Sequence, residues 1–160
     1  MDRADIAIGQ WARERPDLAP LPMAVLGRLT EAAERVTRDH FNPLFAKAGL
    51  QAGEFDVLAT LRRSGAPYTL SPTVLYEAAM ISSGGMTDRL DRLERAGLVV
   101  RRPDPKDRRG KLIVLTDPGK RLIDEAIGRH VANEERLLLS LTQAEQETLD
   151  ALLKKLIAGL

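Results

Sequence analysis

The chain of 160 residues contains no cysteine. That excludes a disulfide framework, a Cys-ligated zinc or iron–sulfur centre, a thiol nucleophile and any thiol-based sensing of oxidants. Histidine is almost as scarce. His40 and His130 stand far apart, and neither is expected to have a carboxylate or cysteine at metal-ligand spacing. Aromatic residues make up 4%, with Trp11 the single tryptophan. No run approaches the roughly 18 apolar residues of a membrane span, so no membrane association is expected. The N-terminal stretch MDRADIAIGQWARERPDL is too charged for a secretory signal, which makes the expected location cytoplasmic. No phosphate-binding glycine loop and no nucleophile elbow is present. Glu134-Glu135 reads as a solvated helix edge rather than a catalytic pair, and neither enzymatic activity nor a cofactor is expected.

The net charge is only +1, but it is unevenly spread. Residues 82–111 carry nine Lys/Arg against five Asp/Glu, a local charge of +4 on an otherwise acidic body. Such a segment suits a polyanionic partner, although a solvated charged hairpin has the same composition.

Apolar spacing and punctuation give the order of elements. Residues 6–15 form a short helix bearing Ile6, Ile8 and Trp11. A long helix spans 23–45, with Leu26, Leu29, Ala33 and Val36 on one face and Pro43 kinking or ending it. A further helix covers 54–63. Ser71 followed by Pro72 opens another. Ser82 or Ser83 caps the next, which runs to Ala96 and stops at Gly97. Two β-rich runs, 98–102 and 112–115, flank a polar loop holding Pro103, Pro105 and Gly110, which predicts a hairpin with a long tip. Thr116 caps a helix reaching about Leu139, and Thr142 with Glu145 forms a capping box for the last one. The fold class is therefore mainly α with a small β-hairpin. Helix, turn, helix and ribbon in that order are the plan of a winged helix-turn-helix.

The helix 83–96 has two faces. Met86, Leu90 and Leu93 should pack inward. Gly84, Gly85, Asp88, Asp91, Arg92 and Arg95 lie opposite, with Ser83 and Thr87 on the flank. Arg92 can reach a guanine edge or a phosphate. Lys106, Arg108 and Arg109 stand at the hairpin tip, where cationic side chains can enter a narrow minor groove. Asp104 or Asp107 can orient one of them. A winged-helix module that binds only protein remains open, although it has no need of Arg108 and Arg109.

The stretch SSGGMTDRLDRLERAGLVVRRPDPKDRRGKLIVLT resembles the recognition helix and wing of the MarR family, and the likeness extends from about Met23 to Leu160. It implies one domain over residues 1–160. Residues 1–48 and 117–160 would supply dimerisation helices, and 54–116 a winged helix-turn-helix lobe. It implies an obligate homodimer that binds double-stranded DNA, with a repressor on an inverted repeat as the expected role. Ser83, Thr87, Asp88 and Arg92 would sit in the major groove, and Arg109 in the minor groove with Asp107 as its anchor. WARERPDL resembles the extension of urate-responsive members. Their ligand residues fall on Trp11, Arg63, Ser64 and Arg89, with Ser64 where that subgroup carries Asp. Trp11 reads equally as a packing anchor. The expected effector is a small anionic aromatic molecule.

Overall fold

Asp2 caps the first helix, α1 (Arg3–Glu14), through a reciprocal box with Asp5. Asp5 N donates to Asp2 Oδ1 at 2.8 Å, and Asp2 N donates to Asp5 Oδ2 at 3.0 Å. Both carboxylates also accept from Arg28 of α2 (Pro20–Arg35), at 2.8 and 2.5 Å. The two helices therefore close on Ala4 and Ala24, whose small side chains are buried. The computed structural model describes residues 1–79 and 85–160, with the backbone alone at Arg108 and Arg109.

The long helix expected over 23–45 starts earlier, at Pro20, and Pro43 does not end it. It widens instead into a π-helical segment, Val36–Phe41, before α3 (Asn42–Lys47) continues it. The N–H of Asn42 reaches back five residues to the carbonyl of Thr37. The widening falls directly ahead of Pro43, which has no N–H and whose ring would strike the carbonyl four residues back in a regular α-helix.

Two compact units make up the chain, Met1–Pro43 and Leu44–Leu160. In the second, α4 (Ala52–Arg63) supplies the centre of the core with Phe55, Val57, Leu58 and Leu61. Strand β1 (Thr69–Leu70) follows, then α5 (Pro72–Ala78), capped by Ser71 as expected. Next come α6 (Met86–Arg95), β2 (Val99–Asp104) and β3 (Asp107–Leu115). The antiparallel sheet has the order β1-β3-β2. Leu75, Leu90, Leu93, Val99, Ile113 and Ile123 complete the core beneath it. Phe45 stacks on Phe55 at 4.2 Å between centroids, and His130 lies against both rings. His130 Nε2 also meets Glu134 at 3.1 Å. That carboxylate one turn on was not anticipated, yet no group of three potential metal ligands occurs among the described residues.

Thr116 opens α7 (Asp117–Leu137), and Thr142 with Glu145 opens α8 (Gln143–Ile157) by the box read in the sequence. Leu149, Leu152, Ile157 and Leu160 remain exposed at the C-terminal end. Within the first unit, Leu21, Val25, Leu26 and Leu29 are exposed as well. No described helix is long and apolar enough to cross a membrane.

The start of α7 depends on Gly119. Thr116 Oγ1 accepts from Gly119 N at 3.1 Å and stands 2.7 Å from the carbonyl of Gly97, to which it donates. This draws the helix so close to the chain at Leu98 that a Cβ on Gly119 would overlap the Leu98 carbonyl oxygen and approach Leu115 Cδ1 to 2.9 Å. A backbone oxygen cannot swing aside as a side chain can. Gly119→Ala should cost about 1–3 kcal/mol, the range for overpacking a filled site, and lower the melting temperature by several degrees. A melting temperature equal to wild type would show that α7 lifts from Leu98 without cost.

Candidate nucleic-acid interface

Helix α6 starts at Met86, later than the serine caps predicted, after Gly85 in the left-handed region at φ +81°. Ser82 and Ser83 lie outside the described residues. Leu90 and Leu93 are buried as their spacing requires, and Met86 is half-buried. This fixes the opposite face outward. Thr87 and Asp88 are exposed on its first turn, where Asp88 also complements the helix dipole.

Two sets of ion pairs hold α6 along its length. Arg101 of β2 donates through Nη2 to Asp91 at 2.6 Å, and through Nη1 to Glu94. Its backbone N–H also donates to Glu94 Oε1 at 3.0 Å. These bonds, the backbone one first and the guanidinium second, hold the Glu94 carboxyl below the usual carboxylate range. On α7, the ammonium of Lys120 and then the guanidinium of Arg62 do the same for Asp124. Folded values below unfolded ones mean that both carboxylates stabilise the fold above the unfolded value of about 4. That contribution is lost as pH falls through the lower folded value. The thermal midpoint should therefore stay level from about pH 6 to 5 and drop below about pH 4. A midpoint unchanged down to about pH 3 would contradict this.

The second set joins α6 to the N-terminal turn of α4. Arg92 Nε donates to Glu54 Oε1 at 2.5 Å, and Arg92 Nη2 donates to Gln51 Oε1 at 3.0 Å. Arg89 lies across the same turn, since a Cβ on Gly53 would overlap its Nε and come within 2.8 Å of its Cδ. The pairing of Arg92 was missed in the sequence, which shows only the Gln51-x-x-Glu54 spacing of a capping box.

The wing is longer and its tip tighter than predicted. The polar residues placed in a loop are strand residues, because a solvent-exposed ribbon needs no apolar pattern. The last pair is Asp104 with Asp107, and the tip is Pro105–Lys106 alone. Asp104 Oδ1 accepts from Lys106 N at 2.8 Å and tightens this turn. The register shifts between Pro103, opposite Lys111, and Asp104, opposite Asp107. Residues 108–110 therefore bulge from the ladder, and a bulge re-aims the side chains it carries. Gly110 permits it: a Cβ there would stand 3.0 Å from Asp107 Oδ2 and 3.1 Å from Asp104 Cβ.

Of the four residues matched to an effector, Trp11 belongs to the first unit and Arg63, Ser64 and Arg89 to the second. Trp11 is half-exposed in the first unit, beside a groove of about 600 Å³ lined also by Ile8, Met23 and Leu26. Arg63, in the last turn of α4, donates through Nη2 to the Ala78 carbonyl. Ser64 Oγ donates to the Leu61 carbonyl at 2.7 Å. Arg89 lies at the other end of α4, over Gly53. Ten residues of helix separate Gly53 from Arg63, roughly 15 Å along the axis.

A three-stranded sheet whose long ribbon follows a rigidly mounted, outward-facing helix defines a winged helix-turn-helix DNA-binding protein. The sequence profile of the MarR family matches residues 48–110. The transcriptional regulator PecS of Dickeya dadantii (strain 3937) is 45% identical over 146 residues, covering 91% of this chain and 87% of PecS. A MarR mutant from E. coli complexed with operator DNA superposes with a TM-score of 0.71 at 28% identity, covering 91% of this chain and 96% of that one. BpsR of Bordetella bronchiseptica, whose DNA binding is regulated by 6-hydroxynicotinic acid, superposes with a TM-score of 0.71 at 27% identity, covering 82% and 97%. The chain belongs to the MarR family of transcriptional regulators.

Proposed function

We propose that the protein is a repressor that binds double-stranded DNA as a homodimer, on an inverted repeat with half-sites about one helical turn apart, roughly 10 bp. The observation that carries this reading is the pairing of an outward α6 face with a basic bulge in the wing. Thr87, Asp88 and Ser83 address the major groove. The carboxylate of Asp88 only accepts hydrogen bonds, which suits a cytosine amino group. Arg108 and Arg109 enter the minor groove, with Asp107 orienting Arg109. The exposed leucines at the end of α8 form the dimer seam. A gel-shift titration against the DNA upstream of the protein's own gene should give one complex of two chains per operator. Absence of any complex at micromolar protein and low salt would favour a protein-binding module instead.

The proposed effector is a small anionic aromatic or heterocyclic molecule that releases the DNA, bound by Trp11, Arg63 and Arg89. Arg63 bonds the Ala78 carbonyl and Arg89 covers Gly53. An anion shared by both requires at least one to leave its present partner. If Arg89 leaves, α6 is disturbed directly, which couples ligand to operator provided the ligand prefers the DNA-incompetent state. Ser64 carries no charge where urate-responsive relatives have a carboxylate, so urate should bind poorly. Titrations of urate and of benzoate-type anions, followed by Trp11 fluorescence and by DNA release, test both points. Quenching by micromolar urate with loss of the DNA complex would overturn the reading of Ser64. No response to any anion would leave Trp11 a packing residue.

A further inference from the structure

We infer that Arg92 is a positioning residue: it sets the angle of the recognition helix through Glu54 and Gln51 and does not itself read DNA. The inference rests on the proposal that α6 is the reading helix.

Three side chains form a closed ring. Glu54, at the third position of α4, is buried, with its side chain 8% exposed. One of its oxygens accepts from the backbone N–H of Gln51 at 2.7 Å, within the capping box of α4. The other accepts from Arg92 Nε at 2.5 Å, and Arg92 Nη2 closes the ring on Gln51 Oε1 at 3.0 Å. The Nε/Nη2 edge of the guanidinium is one of the two that could grip a guanine in bidentate fashion, and it is already committed. Withdrawing it would leave a buried carboxylate without its counter-charge, a loss larger than one exposed base contact returns.

The ring's placement gives it a purpose. Arg92 lies in the second turn of α6, and Glu54 in the first turn of the helix that forms the core of the lobe. Arg101 ties the flank of α6 bearing Asp91 and Glu94 to the base of the wing. The helix is thus held on one side to α4 and on another to β2. With both ties in place the exposed residues of its first turn meet the groove at one fixed angle. With the α4 tie lost, α6 can roll about its buried leucines, and every base contact along the half-site degrades together.

This account gives control of specificity to a residue of the reading helix whose guanidinium is bonded to the start of α4. The test measures the affinity of wild type, Arg92→Ala, Glu54→Ala and the double variant for the operator, for a set of operators substituted at each position, and for unrelated DNA. Circular dichroism and thermal melts monitor folding, and Glu54→Gln with Arg92→Lys serve as milder versions that keep the cap and the charge. Both single alanine variants should lower the ratio of operator to unrelated DNA affinity about ten-fold, evenly across the half-site, and the double variant should lose no more than Arg92→Ala alone. The milder pair should fall between these and wild type. Relaxation at one base pair in Arg92→Ala, with Glu54→Ala retaining the wild-type profile, would make Arg92 a base reader. Equal weakening on all DNA with a reduced salt slope would make it a phosphate contact. Either result overturns the inference, whereas failure of wild type to bind any DNA would overturn the proposal beneath it.

Discussion

Arg109→Ala should weaken operator binding by about 1–3 kcal/mol, roughly five- to 150-fold, while the fold and the oligomeric state stay unchanged. The residue lies in the three-residue bulge of β3, between the pair Asp104–Asp107 and the resumed ladder at Pro103–Lys111. Minor-groove arginines respond to groove width through electrostatic potential, so the loss should be greatest on operators with A·T-rich flanks. It should also shrink as salt rises, and the slope of log K against log salt should fall by about one. Fluorescence anisotropy at several salt concentrations reads all three effects. An unchanged dissociation constant would remove the wing from the mechanism and leave α6 alone to hold the DNA.

A still larger effect is expected from Leu152→Glu. Leu152 is 59% exposed in the single chain, with Leu149 before it and Ile157 and Leu160 after it, all exposed on or just beyond α8. If this stripe is the dimer seam, each of these side chains gains roughly 1.5–3 kcal/mol on burial. A carboxylate at its middle must be stripped of water with no partner, and in a two-fold interface the charge enters twice. The variant should sediment as a monomer at micromolar concentration. It should lose operator affinity by well over 100-fold, because two half-sites must then be bound independently. Unperturbed sedimentation would show that the stripe belongs to some other contact.

The order of elements was legible because punctuation marks nearly every boundary. Ser71-Pro72, Thr116, the Thr142–Glu145 box and Gly97 each cap or end an element where the sequence placed one. The inward face of α6 followed from Leu90 and Leu93, three residues apart. What escaped was whatever depends on residues far apart in the chain. Arg92 and Glu54 are 38 residues apart, and no local pattern distinguishes an arginine facing a groove from one facing a neighbouring helix. Strand β1 is two residues long, and its pairing with Ile113 and Val114 is a tertiary fact. The wing was read too short because the outer parts of its strands, residues 103–104 and 107–111, carry no apolar alternation. The π-helical turn escaped for a different reason: Pro43 announces a disturbance, but whether a helix kinks, stops or widens is decided by what surrounds it.

Among the proposed DNA contacts, Thr87 and Asp88 are exposed on α6, Asp107 closes the wing tip, and the backbone carrying Arg108 and Arg109 leaves the ladder. Arg92, partly exposed, is bonded to Glu54 and Gln51 at the start of α4. If the inference holds, α6 divides its charged residues between reading and mounting, a division that charge counts alone do not express.

The most direct measurement is selection from random double-stranded DNA by the purified wild-type protein, followed by sequencing of the retained fragments. The account predicts strong enrichment of a two-fold symmetric motif with half-site centres about 10 bp apart, bound by two chains with steep salt dependence. Retained DNA with no shared motif, or with a single asymmetric half-site bound by one chain, would contradict it.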